Sequence, residues 1–327
     1  MRQILYVLVL LILFSCTEKC DDYINEGELP IQLELVRYDD SLFQNKEFHY
    51  VYAFVKKNKR LVRYFFDSPA IKGDNDSAFA SYILKILKHP SLDTVYQDVK
   101  RVYGNLEDLK KELEHAYRHI KFFYPDFYLP KLVTLISGFG NDMLVTDSLV
   151  VISLENFLGE ACKYRPDVPN YIYRRMRKQY IVPTIILATS NKFNKTNLLD
   201  QTLLAHMVWH GKALYFTKAM MPCVHDSIII GYTGKELAGA NAHEGLIWGH
   251  FIERDLLFST SHTVEKYVNE RPYTAEIGSK CPGRIGRWLG WIIVSKYVDE
   301  TGISLPELMK ETDANKILTL SKYKPKR

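Results

Sequence analysis

The chain has 327 residues, 47% of them hydrophobic and 13% aromatic, which is enough apolar material for a sizeable core and too much for a disordered chain. Its 43 basic and 38 acidic residues leave a formal charge of +5. The basic residues are scattered among the acids, which excludes the concentrated basic stripe of a nucleic-acid-binding protein.

The opening MRQILYVLVLLILFSC carries a targeting signal. Arg2 is basic, an apolar run follows from Ile4 to Phe14, and Ser15 is a small residue before Cys16. The run is too short for a comfortable membrane span and reads as a secretory signal peptide. Its ending, LFSC, resembles a bacterial lipobox, in which the cysteine is lipidated (palmitate being one such acyl group) and becomes the mature N-terminus. The plain alternative is a signal peptide cut near Ser15, or an uncleaved anchor. The organisation that follows is a lipoprotein signal over 1–15, a polar acidic tether over 16–30 and a folded domain over 31–327. Beyond Cys16 stand Cys20, Cys162, Cys223 and Cys281. They allow three pairings, and the sequence does not choose among them. No C-x-x-C spacing suggests a cysteine metal cluster.

IQLELVRYDDSLF (31–43) alternates like a strand and then turns at Asp39-Asp40. Residues 44–130 are rich in helical spacing. DSAFASYILKILKHP and NLEDLKKELEHAYRHIKFFYP each stop at a proline, Pro90 and Pro125. VTLISGFG (133–140) and DSLVVISLENFLG (147–159) form the best strand pair, with turn residues between them. Helices dominate again from Val168. PNYIYRRMRKQYIVPTIILA puts Tyr171, Ile172, Met176 and Tyr180 on one stripe. Arg174, Arg175, Arg177 and Lys178 then form a solvated face. With no internal repeat or low-complexity linker, the pattern predicts one mainly helical α+β domain with a small β-sheet.

Unusual chemistry gathers in the carboxyl half. LLAHMVWHGKALYF (203–216) places His206 and His210 four apart, one helical turn from each other on one face. Zinc peptidases hold their metal this way through H-E-x-x-H, with a further ligand from a downstream helix. Glu244, in GANAHEGLIWGHFIERDLLFS (239–259), would complete a set with His206 and His210 if the two helices pack together. The position of the general base holds Met207, which cannot carry a proton. Two packed histidines satisfying neighbours is the competing reading. HEGLI at 243–247 also begins like the zinc motif but ends on Ile247, and His243 and His250 stand seven apart. In CPGRIGRWLGWIIVSKYV (281–298), Pro282 and Gly283 precede a helix whose Gly286 and Gly290 let another helix come close. Arg284 and Arg287 stand where they could hold an anion near the helix start, or serve as surface or supporting residues.

Taken together, ELVRYDDSLF, FFYPDF, LISGFG, LVISLENFLGE, PDVPNYIYRRM, HGKALYF, IIIGYT, EGLIWGHFIERDLLFS, PGRIGRWLGWIIVSKYV and the terminal SKYKP resemble the GldB gliding-motility lipoproteins of Bacteroidetes. The segments run in order over nearly the whole chain after the lipobox. The resemblance implies a degenerate, zincin-like relative of zinc-dependent peptidases, lipid-anchored in the cell envelope. The periplasmic face is the expected side, with surface exposure as the alternative. It implies support of gliding, or of an associated secretion machine, without a demonstrated activity. Its motif residues fall on Gly211, Lys212, Tyr215, Glu244, Trp248, Pro282, Gly283, Arg284, Gly286 and Gly290, read as a cleft. The leading expectation is a non-catalytic protein that binds an envelope partner through that cleft and needs no cofactor. The second is a residual zinc metallohydrolase using His206, His210 and Glu244, and the third is a purely structural lipoprotein.

Overall fold

The computed structural model describes residues 24, 29–68, 71, 73, 75–260 and 263–325. The signal sequence, Cys16 and Cys20 lie outside the described residues.

A small sheet forms the centre of the amino-terminal half. Strand β1 (Leu35–Arg37) is shorter than the alternation of residues 31–37 suggests. Asp39 and Asp40 do not turn the chain; they sit in the first turn of α1 (Tyr38–Gln44), where acids complement the helix dipole. Asp39 is fully buried, pairs with Arg37 at 2.8 Å and accepts a hydrogen bond from the Thr134 hydroxyl. Strands β2 (Lys131–Leu135), β3 (Met143–Val145) and β4 (Leu149–Ser153) complete a sheet of order β1-β2-β4-β3. The two segments expected to pair do so, but in parallel, with Val133 opposite Val151. Residues 136–148 supply the dozen or so positions that a parallel crossover needs. Within that crossover β3 folds back antiparallel on the outer edge of β4. Both central strands are nearly continuous apolar runs because both of their faces are covered.

Helices α2 (Phe48–Lys57), α3 (Lys59–Phe65), α4 (Asp76–Leu87), α5 (Pro90–Tyr103) and α6 (Glu107–Phe123) surround this sheet. Pro90 ends α4 and also opens α5, where its missing N–H is not needed. The helix expected over 169–188 is broken into α7 (Asn170–Tyr173) and α8 (Ile181–Thr189). Pro183 is tolerated only in a first turn, so α8 has to begin just before it. The four cations between these helices are each ion-paired, Arg177 and Lys178 at the solvated surface and Arg174 and Arg175 partly buried. Arg174 pairs with Glu236, Arg175 with Glu270, Arg177 with Glu160 and Lys178 with Asp108.

The carboxyl half is helical: α9 (Leu203–Met220), α10 (Asp226–Ile230), α11 (Gly234–Ala242), α12 (Glu244–Glu253), α13 (Thr263–Val268), α14 (Ile285–Thr301), α15 (Leu305–Lys310) and α16 (Ala314–Ser321). Helices α9 and α14 form its buried axis, and α16 packs along α14. A Cβ on Gly211 would lie 2.3 Å from the Gly290 carbonyl oxygen, and one on Gly290 only 1.9 Å from that of Met207. The two backbones therefore touch, and the Gly286/Gly290 pattern is answered by Gly211 on the other helix. Both halves share one apolar core, consistent with a single mainly helical α+β domain. No described helix is long and apolar enough to cross a membrane.

Candidate functional site

The structure puts the quoted histidine helix at the heart of the fold. Thr202 caps α9 by accepting from the Ala205 N–H. Met207 is fully buried, and its Cγ lies 3.3 Å from where a Gly286 side chain would begin. The position where a peptidase keeps its general base is thus part of the α9–α14 contact. His206 and His210 flank that contact, half-buried. Glu244 does not join them. It is 6% exposed and accepts a hydrogen bond from the Tyr323 hydroxyl at 2.9 Å. Trp248, one turn on, meets the Tyr323 ring edge-on at 5.0 Å. Burial and the Glu244 carboxylate together push the Tyr323 phenol well above its ordinary range. Glu244 and Trp248 thus anchor the end of the chain, because α12 does not pack along α9. Among the described residues no group of three His, Cys, Asp or Glu is placed to hold a metal. The proposed set of His206, His210 and Glu244 is corrected accordingly.

Most of the remaining motif residues are interior. Lys212 is 1% exposed, and its Nζ donates to the carbonyls of Lys195 (2.6 Å) and Glu311 (2.7 Å). Burial lowers this amine to about 8. Tyr215 is half-buried, and Pro282 is buried. Gly283 passes so close to Arg271 that a Cβ would lie 1.9 Å from its carbonyl oxygen. The His243 Nδ1 donates locally to the Gly239 carbonyl, and His250 contacts the Tyr267 hydroxyl, so these two serve separate neighbours. A pocket of about 470 Å³ lies elsewhere, lined by Glu112, Leu158, Gly159, Glu160 and Arg177 among others. Cys223 is disulfide-bonded, whereas Cys162 and Cys281 are free.

Two charge clusters stand out, the first buried and the second partly so. The first lies at the carboxyl end of the sheet. Glu155 is 1% exposed, and its Oε1 accepts from the backbone N–H of Ser137 (2.7 Å), Gly138 (3.0 Å) and Phe139 (3.0 Å). The Ser137 hydroxyl donates to the same oxygen at 2.9 Å. Gly138 and Phe139 reach this geometry at φ +82° and +66°, which turns successive N–H groups inward. Burial raises the Glu155 carboxyl, and these hydrogen bonds offset part of that rise.

The second cluster surrounds the start of α14. Arg175 grips Glu270 with two nitrogens, at 2.8 and 3.2 Å. The Arg284 Nε stands 3.6 Å from the same carboxylate, and its Nη2 donates to the Gly231 carbonyl at 3.3 Å. Gly231 leaves room for both side chains, since a Cβ there would lie 2.6 Å from the Arg175 Cδ and 3.3 Å from the Arg284 Nη2. Arg284 also lies over the Tyr232 ring, 5.6 Å from its centre. Arg287 follows one turn later and donates from Nε to the Val268 carbonyl at 2.5 Å. Burial and Arg284 together lower Arg287 to about 10. Burial, followed by Arg287, His206 and Arg284, lowers His210 to about 3, so its imidazole is neutral. Burial alone would raise Glu270, but Arg284, Arg175 and Arg287 bring its carboxyl below the usual range.

Of this second cluster, the sequence marked Arg284 and Arg287 but not their partners. Arg175 lay inside an apparent charge run, and Glu270 carried no local pattern. Glu155 showed no signal beyond following a strand. Tyr323 was visible only as part of a terminal motif.

The sequence matches the family model described as gliding motility protein GldB over residues 19–325. No curated protein and no solved structure matches the chain. The match spans most of its length, so the chain belongs to the GldB family of gliding-motility lipoproteins.

Proposed function

We propose, from this membership, that the chain serves gliding motility or an associated envelope machinery as a lipid-anchored component that binds another envelope protein and does not hydrolyse peptides. The family places its role in gliding motility. The observation that carries the non-catalytic half is the burial of Met207 against Gly286 and Gly290. A side chain at 207 is spent on holding two helices together, so a carboxylate there would not reach a nucleophilic water beside His206 and His210. The zincin-like ancestry remains part of this reading as the origin of the paired histidines. The periplasmic face is the side on which a lipidated Cys16 would leave the folded domain.

The test is native purification of the full lipoprotein from the envelope of a gliding bacterium, in zinc-containing buffer without chelator. The expected result is stoichiometric recovery of another envelope protein, no cleavage of a fluorescent peptide library, and loss of gliding without the partner. Peptide cleavage that needs zinc and disappears in His206→Ala would overturn the reading in favour of a metallohydrolase.

A further inference from the structure

The start of α14 is charged the wrong way. The first turn of a helix favours acids, because its free N–H groups point outward and the helix dipole is positive there. This helix is 17 residues long, has no acid in its first turn and no side-chain cap, and instead carries Arg284 at its N-cap and Arg287 within its first turn. Arg284 is held at φ +61°, a left-handed conformation that a bulky residue adopts only when its surroundings require it. It is also 93% buried, with relative exposure of 7%.

The compensation inside the protein is incomplete. Three guanidiniums, those of Arg175, Arg284 and Arg287, face the single carboxylate of Glu270. Glu236 does not help, since it is engaged by Arg174 at 2.7 Å. Two positive charges are left over. So are donors: among the described residues Arg284 makes one side-chain hydrogen bond, at 3.3 Å, and both terminal nitrogens of Arg287 donate to no protein group. Of these guanidinium nitrogens, the Nε of Arg175 is buried without a partner. A guanidinium has five N–H donors, and one buried without an acceptor, as that Nε is, is costly. Beside Arg287 stands the His210 ring, which makes no hydrogen bond among the described residues.

We propose that Arg175, Arg284 and Arg287, with the start of α14 and His210, form a binding site for a phosphate-class oxyanion. Two uncompensated charges match a dianion better than a carboxylate, and guanidinium forks match its oxygens. The positive end of the helix dipole adds to the same field. The site is independent of the partner-binding reading and needs no metal.

The test uses the full-length lipoprotein in a phosphate-free, uncharged detergent at constant ionic strength. Thermal unfolding and calorimetric titration are recorded with inorganic phosphate, glycerol 3-phosphate, acetate or chloride. Phosphate, its monoester or both should raise the unfolding temperature and give one saturable site, and the pattern distinguishes a free ion from an esterified source. Arg287→Gln should weaken that binding roughly tenfold to a hundredfold, as expected for loss of a charge-assisted contact, without lowering the unfolding temperature in chloride. Arg175→Gln is the second variant, should Arg287→Gln fold poorly, and Lys322→Gln is the surface control. No stabilisation by either phosphate beyond chloride, equal stabilisation by acetate, or unchanged binding in both arginine variants would each overturn the proposal.

Discussion

The Glu155 nest and the arginine cluster are two charge sites built on opposite plans. In the first, a carboxylate is surrounded by donors from one short loop, Ser137–Phe139, and every donor has its acceptor. In the second, donors outnumber acceptors and positive charges outnumber negative ones. The difference separates a closed site from an open one. A site that satisfies itself contributes stability and has nothing left to offer. A site that stays unsatisfied is paid for by the rest of the fold and has its binding capacity in reserve.

The largest expected effect tests the scaffold of the open site alone. Gly290→Leu would drive a side chain into the Met207 carbonyl and should cost upwards of about 3 kcal/mol, the top of the usual overpacking range. Its denaturant midpoint is the measurement, and an unchanged midpoint would mean that α9 and α14 do not touch there. Next comes the closed site itself. Glu155→Ala would leave the buried Ser137 N–H and the part-buried N–H groups of Gly138 and Phe139 without acceptors and should cost about 2–3 kcal/mol. A neutral result would erase the contrast between the two clusters.

The third test is of pH. His210 is lowered to about 3 in the folded protein, facing Arg287, His206 and Arg284. Its contribution to stability is therefore complete above pH 6.5 and is lost as the pH falls from there toward 3. Between pH 7 and pH 5 the wild type should lose roughly 2 kcal/mol more than His210→Met does, as urea unfolding would show. Identical slopes in the two proteins would remove His210 from the cationic cluster. The smallest effect is the most diagnostic. Arg287→Met should leave stability in chloride buffer within about 0.5 kcal/mol of wild type, or improve it, because it relieves repulsion in a site without its ligand. A loss comparable to that of Glu155→Ala would show that Arg287 is structural.

Particular residues show where the sequence could be read and where it could not. The helical patterns over 76–87 and 107–123 and the two central strands were legible because local periodicity follows which face is buried. The relative direction of those strands was not, since a thirteen-residue crossover and a hairpin look alike until β3 is placed on the far edge. Gly286 and Gly290 announced a close helix contact by their spacing, and α9 supplies it. The pairing of His206 and His210 was equally visible, yet the third residue offered with them, Glu244, is held by Tyr323, 79 positions away. Arg175 and Glu270 are 95 positions apart, a separation that a local pattern cannot bridge.

The touching backbones of Gly211 and Gly290 have a consequence for measurement within the molecule itself. His210 precedes one of these glycines by a single residue, and Arg287 precedes the other by one turn. Where Gly211 and Gly290 meet, no side chain separates the helices, and the spacing of imidazole and guanidinium beside that point is gauged by peptide groups. Side chains compress, rotate and drift; two abutting carbonyl-bearing backbones do so far less. The crossing is a gauge block that sets the spacing between α9 and the head of α14, and even a methyl group inserted into it would re-space His210 from Arg287.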